Sequence, residues 1–258
     1  MSHKIAMITG ASSGIGYATA QTLAKMGYDL ILVARRADRL QSLIQALQSN
    51  PDTAGVRVYT ETLDVRSLQA VKAFYQALPS TWKDIDVLVN NAGLAKGLSK
   101  FYEGDTEHWD QMIDTNVKGL MYVSRTVVPH MIERGTGHVI NIGSIAGKEV
   151  YDNGNVYCGT KFAVDALTKS MRLELAVHGV KVTGIHPGAV ETEFSIVRFD
   201  GDEQRAQKVY EGFDNLIAED IADAIAYVVS RKPHVNINDL VIMPQAQAVA
   251  GVIIRKES

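Results

Sequence analysis

The sequence predicts an α/β chain: a doubly wound, mainly parallel seven-stranded sheet with helices on both faces. Three observations carry this reading. Short β-branched apolar runs alternate with longer segments of helical period from one end to the other. Several of these runs are apolar throughout rather than alternating, as strands covered on both faces are. A glycine-rich turn, "TGASSGIG", joins the first run to the first helical segment.

The strands are read in order as "KIAMIT" (4–9), "DLILVA" (29–34), "VRVYTE" (56–61), "DVLVN" (86–90), "HVINIG" (138–143), "VKVTGIH" (180–186) and, more weakly, "DLVIM" (239–243). After the first strand, "IGYATAQTLAKMG" sets Ile15, Ala18, Thr19, Thr22 and Leu23 on one stripe and ends at Gly27, a helix stop. Two long helices are expected around 106–133 and 157–178, the second halting at Gly179. The prolines fall mostly in loops or at element ends. No linker, repeat or low-complexity stretch divides the chain, so one domain over 1–258 is expected. Within it, the polar, helix-like stretch near 189–214 has little core signature and reads as a poorly packed, mobile substrate lid.

A net charge of −3 without a basic stripe argues against nucleic acid as a partner. The single Cys158 leaves no intramolecular disulfide or cysteine metal cluster, and the seven histidines lack ligand spacing, so no metal is expected. The N-terminus does not read as a signal peptide, and no apolar run approaches the ~20 residues that span a bilayer. A cytoplasmic protein without a membrane partner is the expectation.

The glycine turn has a physical reading. Gly10 permits a tight turn, and Gly14 lets backbone N–H groups approach a phosphate. Gly16 lets helix and strand pack closely. With Ser12, Ser13 and Ile15, these residues would cradle a pyrophosphate at a helix N-terminus. Arg35 and Arg36 close the second strand, where guanidinium forks suit the 2′-phosphate of NADP(H) better than the bare ribose of NAD. One of the two could equally cap the strand end. Tyr157 and Lys161, four apart, share one face of a helix.

Thr9-Gly10-x3-Gly14-x-Gly16, Asn90-Asn91-Ala92-Gly93, Asn116, Ser144, Tyr157-x3-Lys161 and Pro187-Gly188 occur in an order that resembles the short-chain dehydrogenases/reductases across essentially the whole chain. The resemblance implies a Rossmann-type domain and assigns roles. Tyr157 would be the general acid/base. Lys161 would lower the phenol's pKa and hold the nicotinamide ribose. Ser144 would polarise the substrate oxygen, and Asn116 would hold a relay water. Asn90 and its backbone would line the adenosine ribose, while Ala92 and Gly93 let the cofactor lie close; Asp64 and Val65 would receive the adenine, and Pro187, Gly188, Val190 and Thr192 the nicotinamide. Each of three has a structural alternative: Ser144 as a strand-end turn serine, Asn116 as a helix-kink residue, and Asp64 as the N-cap of the next helix.

Within the family, "IDVLVNNAGLAKG", "GNVYCGTK", "TEFSIVRFDGD" and "HVNINDLVIMPQAQAVAG" resemble the NADP-dependent 3-hydroxy acid dehydrogenases. That subgroup acts on serine, 3-hydroxypropionate or malonic semialdehyde. The sulfoacetaldehyde reductases, which form isethionate, are close neighbours. The 3-oxoacyl carrier-protein reductases are the runner-up, but "MPQAQ" stands where they carry Asp-Gly-Gly. A non-catalytic NADPH sensor is disfavoured by the retention of Ser144, Tyr157 and Lys161. A small anionic alcohol or aldehyde needs a cation in its pocket, and Arg198 or Lys148 is the candidate. The resemblance further implies a homotetramer packed through the two long helices.

Overall fold

The computed structural model describes residues 4–256. Seven strands, β1 (Ile5–Thr9), β2 (Asp29–Ala34), β3 (Val58–Thr62), β4 (Ile85–Asn90), β5 (Gly137–Ile142), β6 (Val180–Pro187) and β7 (Asp239–Ile242), form one sheet in the order 3-2-1-4-5-6-7. Every neighbouring pair is parallel. The order reverses direction between β1 and β4. The crevice at the carboxyl ends of these two strands is where such sheets take ligands.

The apolar runs are explained by cover on both faces. Along β1, Ala6 and Ile8 face one core with Leu23, Leu43, Ile221 and Ile225. These belong to α1 (Gly14–Lys25), α2 (Ala37–Ser49) and α9 (Ala218–Val229). Ile5 and Met7 face the other core with Val71, Phe74, Val127 and Leu175. Those come from α3 (Leu68–Ala77), α5 (Leu120–Arg134) and α6 (Asn155–Leu175). Successive side chains of a strand point to opposite faces, so an all-apolar strand needs helices on both.

Of the two long helices expected, the first is revised and the second ends where expected. The helix expected over 106–133 starts as α4 (Thr106–Ile113), winds as a π-helix over Asp114–Gly119 and continues as α5, with Pro129 inside it. Helix α6 ends in a short 3-10 turn before Gly179, whose φ of +71° closes it as expected. Among the described residues no helix is long and apolar enough to cross a membrane.

After β6 the chain runs out over the crevice. It forms α7 (Phe194–Arg198) and α8 (Glu203–Lys208) and returns through a bridge between Val190 and Leu216. This is the segment read from sequence as a lid, and it carries buried residues, Ser195, Phe199, Ala206 and Phe213, where little core was expected. Its apolar residues are too widely spaced along the chain to announce a core. Arg198 and Gly97 exchange hydrogen bonds that hold the lid down: the Gly97 amide donates to the Arg198 carbonyl at 2.9 Å, and Arg198 Nε donates to the Gly97 carbonyl at 3.1 Å. Lys96 pairs with Asp200 beside them. A C-terminal hairpin, β8 (Gln247–Val249) and β9 (Val252–Ile253), lies against the lid base.

Candidate active site

A cavity of about 500 Å³ opens at the crevice, with the glycine turn, the ends of β4 and β5, the start of α6 and the lid as its walls. Gly10, at φ +66°, lies so close to the chain after β4 that an added Cβ would stand 2.9 Å from Ala92 Cα. A side chain on Gly16 would run into the Gly10 carbonyl. Gly16 therefore joins helix to strand without lining the cavity, whereas Gly10, Ser12, Ser13, Gly14 and Ile15 line it. Ser13 stands at the N-cap position of α1 without a side-chain cap bond, and the first residues of that helix, Gly14 and Ile15, line the cavity.

At one end of the cavity lie Arg35, Arg36, Asp64 and Val65. Arg36 reaches Ser12 Oγ at 3.4 Å and pairs with Glu193 of the lid base at 2.8 Å. The N-cap alternative for Asp64 fails, because Ser67 caps α3 by accepting from the Ala70 amide at 3.2 Å. Asp64 is instead gripped by Arg66 at 2.6 Å, and that hydrogen bond holds its carboxyl below the usual range.

Asn90 is not in the cavity wall. Its side chain is buried inside the molecule, donating to Ser124 Oγ and Asn141 Oδ1, both at 2.9 Å. The next residue, Asn91, takes the expected place with Ala92 and Gly93. Its amide side chain donates to the Thr9 carbonyl at 2.9 Å and so ties the end of β4 to the glycine turn. The doubled "NN" was the signal, and the parity of the strand decides between the two.

At the other end, Ser144, Tyr157 and Lys161 converge, all buried. Ser144 opens a short turn (Ile145–Gly147), accepts from the Ala146 amide at 3.1 Å and donates to the Pro187 carbonyl at 3.5 Å. Tyr157 and Lys161 lie on the first turns of α6, with Nζ 5.9 Å from the ring centre. Lys161 donates to the Ile142 carbonyl at 2.9 Å. Burial lowers its pKa to about 8. Burial also raises that of Tyr157, against a hydrogen bond from Ser144 and the nearby Arg198 charge. Desolvation is the largest influence on the phenol, and the Ser144 hydrogen bond and the Arg198 charge oppose it.

Asn116 sits on the π-helix, buried behind the site. It accepts from the Leu94 amide and donates to the Leu94 carbonyl, both at 2.8 Å, and to Thr160 Oγ1 at 3.0 Å. Its side chain fastens the loop after β4 to the π-helix and to α6. Pro187, Gly188, Val190 and Thr192 line the cavity as expected.

The two candidate anchors part company. Arg198 lines the cavity, its guanidinium carbon 5.7 Å from the Tyr157 ring centre and 5.6 Å from that of Tyr151. Lys148 does not line it; its ammonium donates to Asp165 Oδ1 at 2.6 Å behind the site. A loop lysine read from sequence has no visible partner, but folding supplies one seventeen residues on. Tyr151 and Gln247 were missed. Tyr151 forms part of the wall, and Gln247 Oε1 accepts from the Ala189 amide at 2.8 Å, bracing the chain after Gly188. Tyr151 stands in no recognisable motif, whereas Gln247 ends the string "MPQAQ".

Residues 4–203 match the model of the family described as short chain dehydrogenase, and the chain belongs to that family. It is accordingly an oxidoreductase. Among its relatives, an NADP-dependent 3-hydroxy acid dehydrogenase of Salmonella typhi is 45% identical over 98% of this chain and 99% of its own. A protein of the same description from Schizosaccharomyces pombe is 41% identical, with 99% of this chain and 98% of its own covered. The closed form of a serine dehydrogenase complexed with NADP+ superposes with a TM-score of 0.90 at 42% identity, covering 98% of this chain and 100% of the other.

Proposed function

We propose that this chain moves a hydride between NADP(H) and a small 3-hydroxy acid or its semialdehyde, of the serine, 3-hydroxypropionate or malonic semialdehyde type. One observation carries the reading: a single cavity holds Ser144, Tyr157 and Lys161 at one end, under the guanidinium of Arg198, and Arg35 with Arg36 at the other. The descriptions of the relatives support both the cofactor and the substrate class. The glycine turn, the α1 N-terminus and the two arginines fit a dinucleotide with a 2′-phosphate.

When bound, the nicotinamide supplies or receives the hydride. The chain does the rest. In the reduction direction Tyr157 gives its proton to the substrate oxygen, and its raised pKa keeps that proton in place at neutral pH. Ser144 Oγ donates a hydrogen bond to the same oxygen and stabilises the charge that develops there. Lys161, buried and cationic below about pH 8, favours the phenolate left behind. Arg198 pairs with the substrate's acid group and sets the carbonyl before Tyr157. Asn116 keeps the helix kink in register with α6, which leaves room for a relay water beside Lys161.

A sulfonate fits the same guanidinium, so sulfoacetaldehyde is the second reading. A panel of 3-hydroxy acids, semialdehydes and sulfoacetaldehyde, assayed with NADP(H), tests this. Turnover concentrated on the short carboxylates is expected, and turnover only of uncharged or long-chain substrates overturns it. The assembly we assign is a homotetramer, supported by the apolar side chains exposed on α5 and α6.

A further inference from the structure

Behind the Ser144 turn, outside the cavity, lies a group of charges that the chemistry does not touch. Lys148 follows that turn, with its ammonium 2.6 Å from Asp165 Oδ1 and 3.6 Å from Asp239 Oδ2. Asp165 stands on α6 four residues beyond Lys161 and eight beyond Tyr157, hence on the same helix face. Its second oxygen accepts from Lys169 at 2.6 Å. His186, fully buried on β6 next to Pro187, brings Nε2 to 3.1 Å from Asp239 Oδ1 and 3.7 Å from Asp165 Oδ1. The three elements that build the reactive end of the cavity therefore meet at one point: the Ser144 turn through Lys148, α6 through Asp165, and β6 through His186.

The geometry there leaves no slack. A side chain on Gly143 would strike the His186 ring, and one on Gly147 would strike the Lys161 carbonyl. The turn is thus pressed between β6 and α6, and Lys148 ties its far end to α6. The acidic groups are already matched, because two ammonium groups occupy both oxygens of Asp165.

We propose that Lys148 and Asp165 are positioning residues, an ion pair that clamps the Ser144 turn onto the Tyr157–Lys161 face of α6 and so sets the approach of the Ser144 and Tyr157 hydroxyls. Their side chains are 23% and 10% exposed, which spares the pair most of the screening that weakens surface salt bridges. Small displacements of reacting groups are costly: about 1 Å can remove roughly a hundredfold in rate. The proposal rests on the catalytic reading of Ser144, Tyr157 and Lys161.

The test uses the full-length protein, with NADPH and malonic semialdehyde for reduction and NADP with 3-hydroxypropionate for oxidation. Lys148→Met keeps the length of the side chain and removes its charge. We expect kcat to fall about 10–100-fold, with KM and the NADPH dissociation constant held within about twofold. Lys148→Arg should recover most of kcat. Asp165→Asn should reproduce the loss, and the double variant Lys148→Met/Asp165→Asn should be no worse than either single one. The pH profile adds a readout that stability alone does not move. A looser Ser144 favours the Tyr157 phenolate less, so the rising limb of the oxidation rate should shift to higher pH. The other groups facing Tyr157, namely Lys161 and Cys158 on α6, Tyr151 on the preceding loop and Arg198 on the lid, are the same in both proteins.

A Lys148→Met enzyme with wild-type kcat overturns the proposal. So does a parallel loss of kcat, NADPH affinity and melting temperature with an unmoved pH profile, which would make the pair a stability element. Should Lys148→Met fail to fold, Asp165→Asn and Lys148→Arg carry the same comparison. Tyr157→Phe, run alongside, keeps the two failures apart: an active Phe variant sinks the catalytic reading, whereas an inactive one beside a normal Lys148→Met sinks only the clamp.

Discussion

At the scale of single residues, the balance between burial and charge governs the chemistry. Tyr157 is buried, and desolvation raises its pKa, so the phenol holds its proton at neutral pH. Tyr157→Phe should bind NADPH like the wild type and lose roughly 10²–10⁴ in kcat, measured by NADPH oxidation. Lys161 carries the opposite cost. Its pKa falls from 10.5 to about 8 on burial, so between those values the unfolded chain holds a proton that the folded chain has released. Folding stability should therefore gain with rising pH across that window through this group. The gain should vanish in Lys161→Met, as read from melting temperatures of both proteins between pH 8 and 10. At the far end of the cavity, replacing both Arg35 and Arg36 by Ala should bring the NADPH-to-NADH affinity ratio toward unity. Charged hydrogen bonds of about 1.5–3 kcal/mol each make that a loss of at least roughly tenfold in NADPH binding. A double variant that still strongly prefers NADPH would remove the arginines from cofactor choice.

Among the elements, the lid and the kinked helix do the arranging. Helix α7 has five residues, too few to be stable alone, and tertiary contacts hold it: Ser195 is buried and donates to Tyr210 Oη at 2.7 Å, and Arg198 grips Gly97. The same arginine lines the cavity, so one side chain both fastens this segment to Gly97 and brings a positive charge to the cavity wall. Arg198→Ala should raise KM for a carboxylate substrate by about 10–100-fold and for an uncharged aldehyde of equal size far less. Equal rises for both would deny Arg198 the anchor. The π-helix at Asp114–Gly119 was invisible in the sequence, because one extra residue in a turn barely disturbs a 3.6-residue pattern. Its worth lies in Asn116, which meets both backbone groups of Leu94 and so fixes the loop that borders Lys161.

For the molecule as a whole, the surface of α5 and α6 bears on how copies of the chain assemble. Met121 and Phe162 are exposed there, and Leu173 and Val177, at the end of α6, are 80% and 83% exposed. Exposed apolar side chains of this size on two neighbouring elements of a family fold suit an interface between copies. Light scattering at micromolar concentration should return a tetramer, with Leu173→Glu shifting it to smaller species. A wild-type monomer would refute the assembly.

The sequence by itself determined the strands almost to the residue, the parallel sheet and most of the cavity's wall. Those follow from local rules: buried strands must be apolar on both faces, a phosphate turn needs glycines, and a four-residue spacing puts Tyr157 and Lys161 on one side of a helix. Only the tertiary structure decided which of two adjacent asparagines enters the cavity, since the strand's pairing in the sheet sets that parity. It also separated Arg198 from Lys148. Two lone cations look alike along a chain, and one became a pocket charge and the other a clamp because Asp165 and Asp239 arrive beside Lys148 from distant elements. Burial and partnership are properties of packing, and packing joins residues that no sequence window contains.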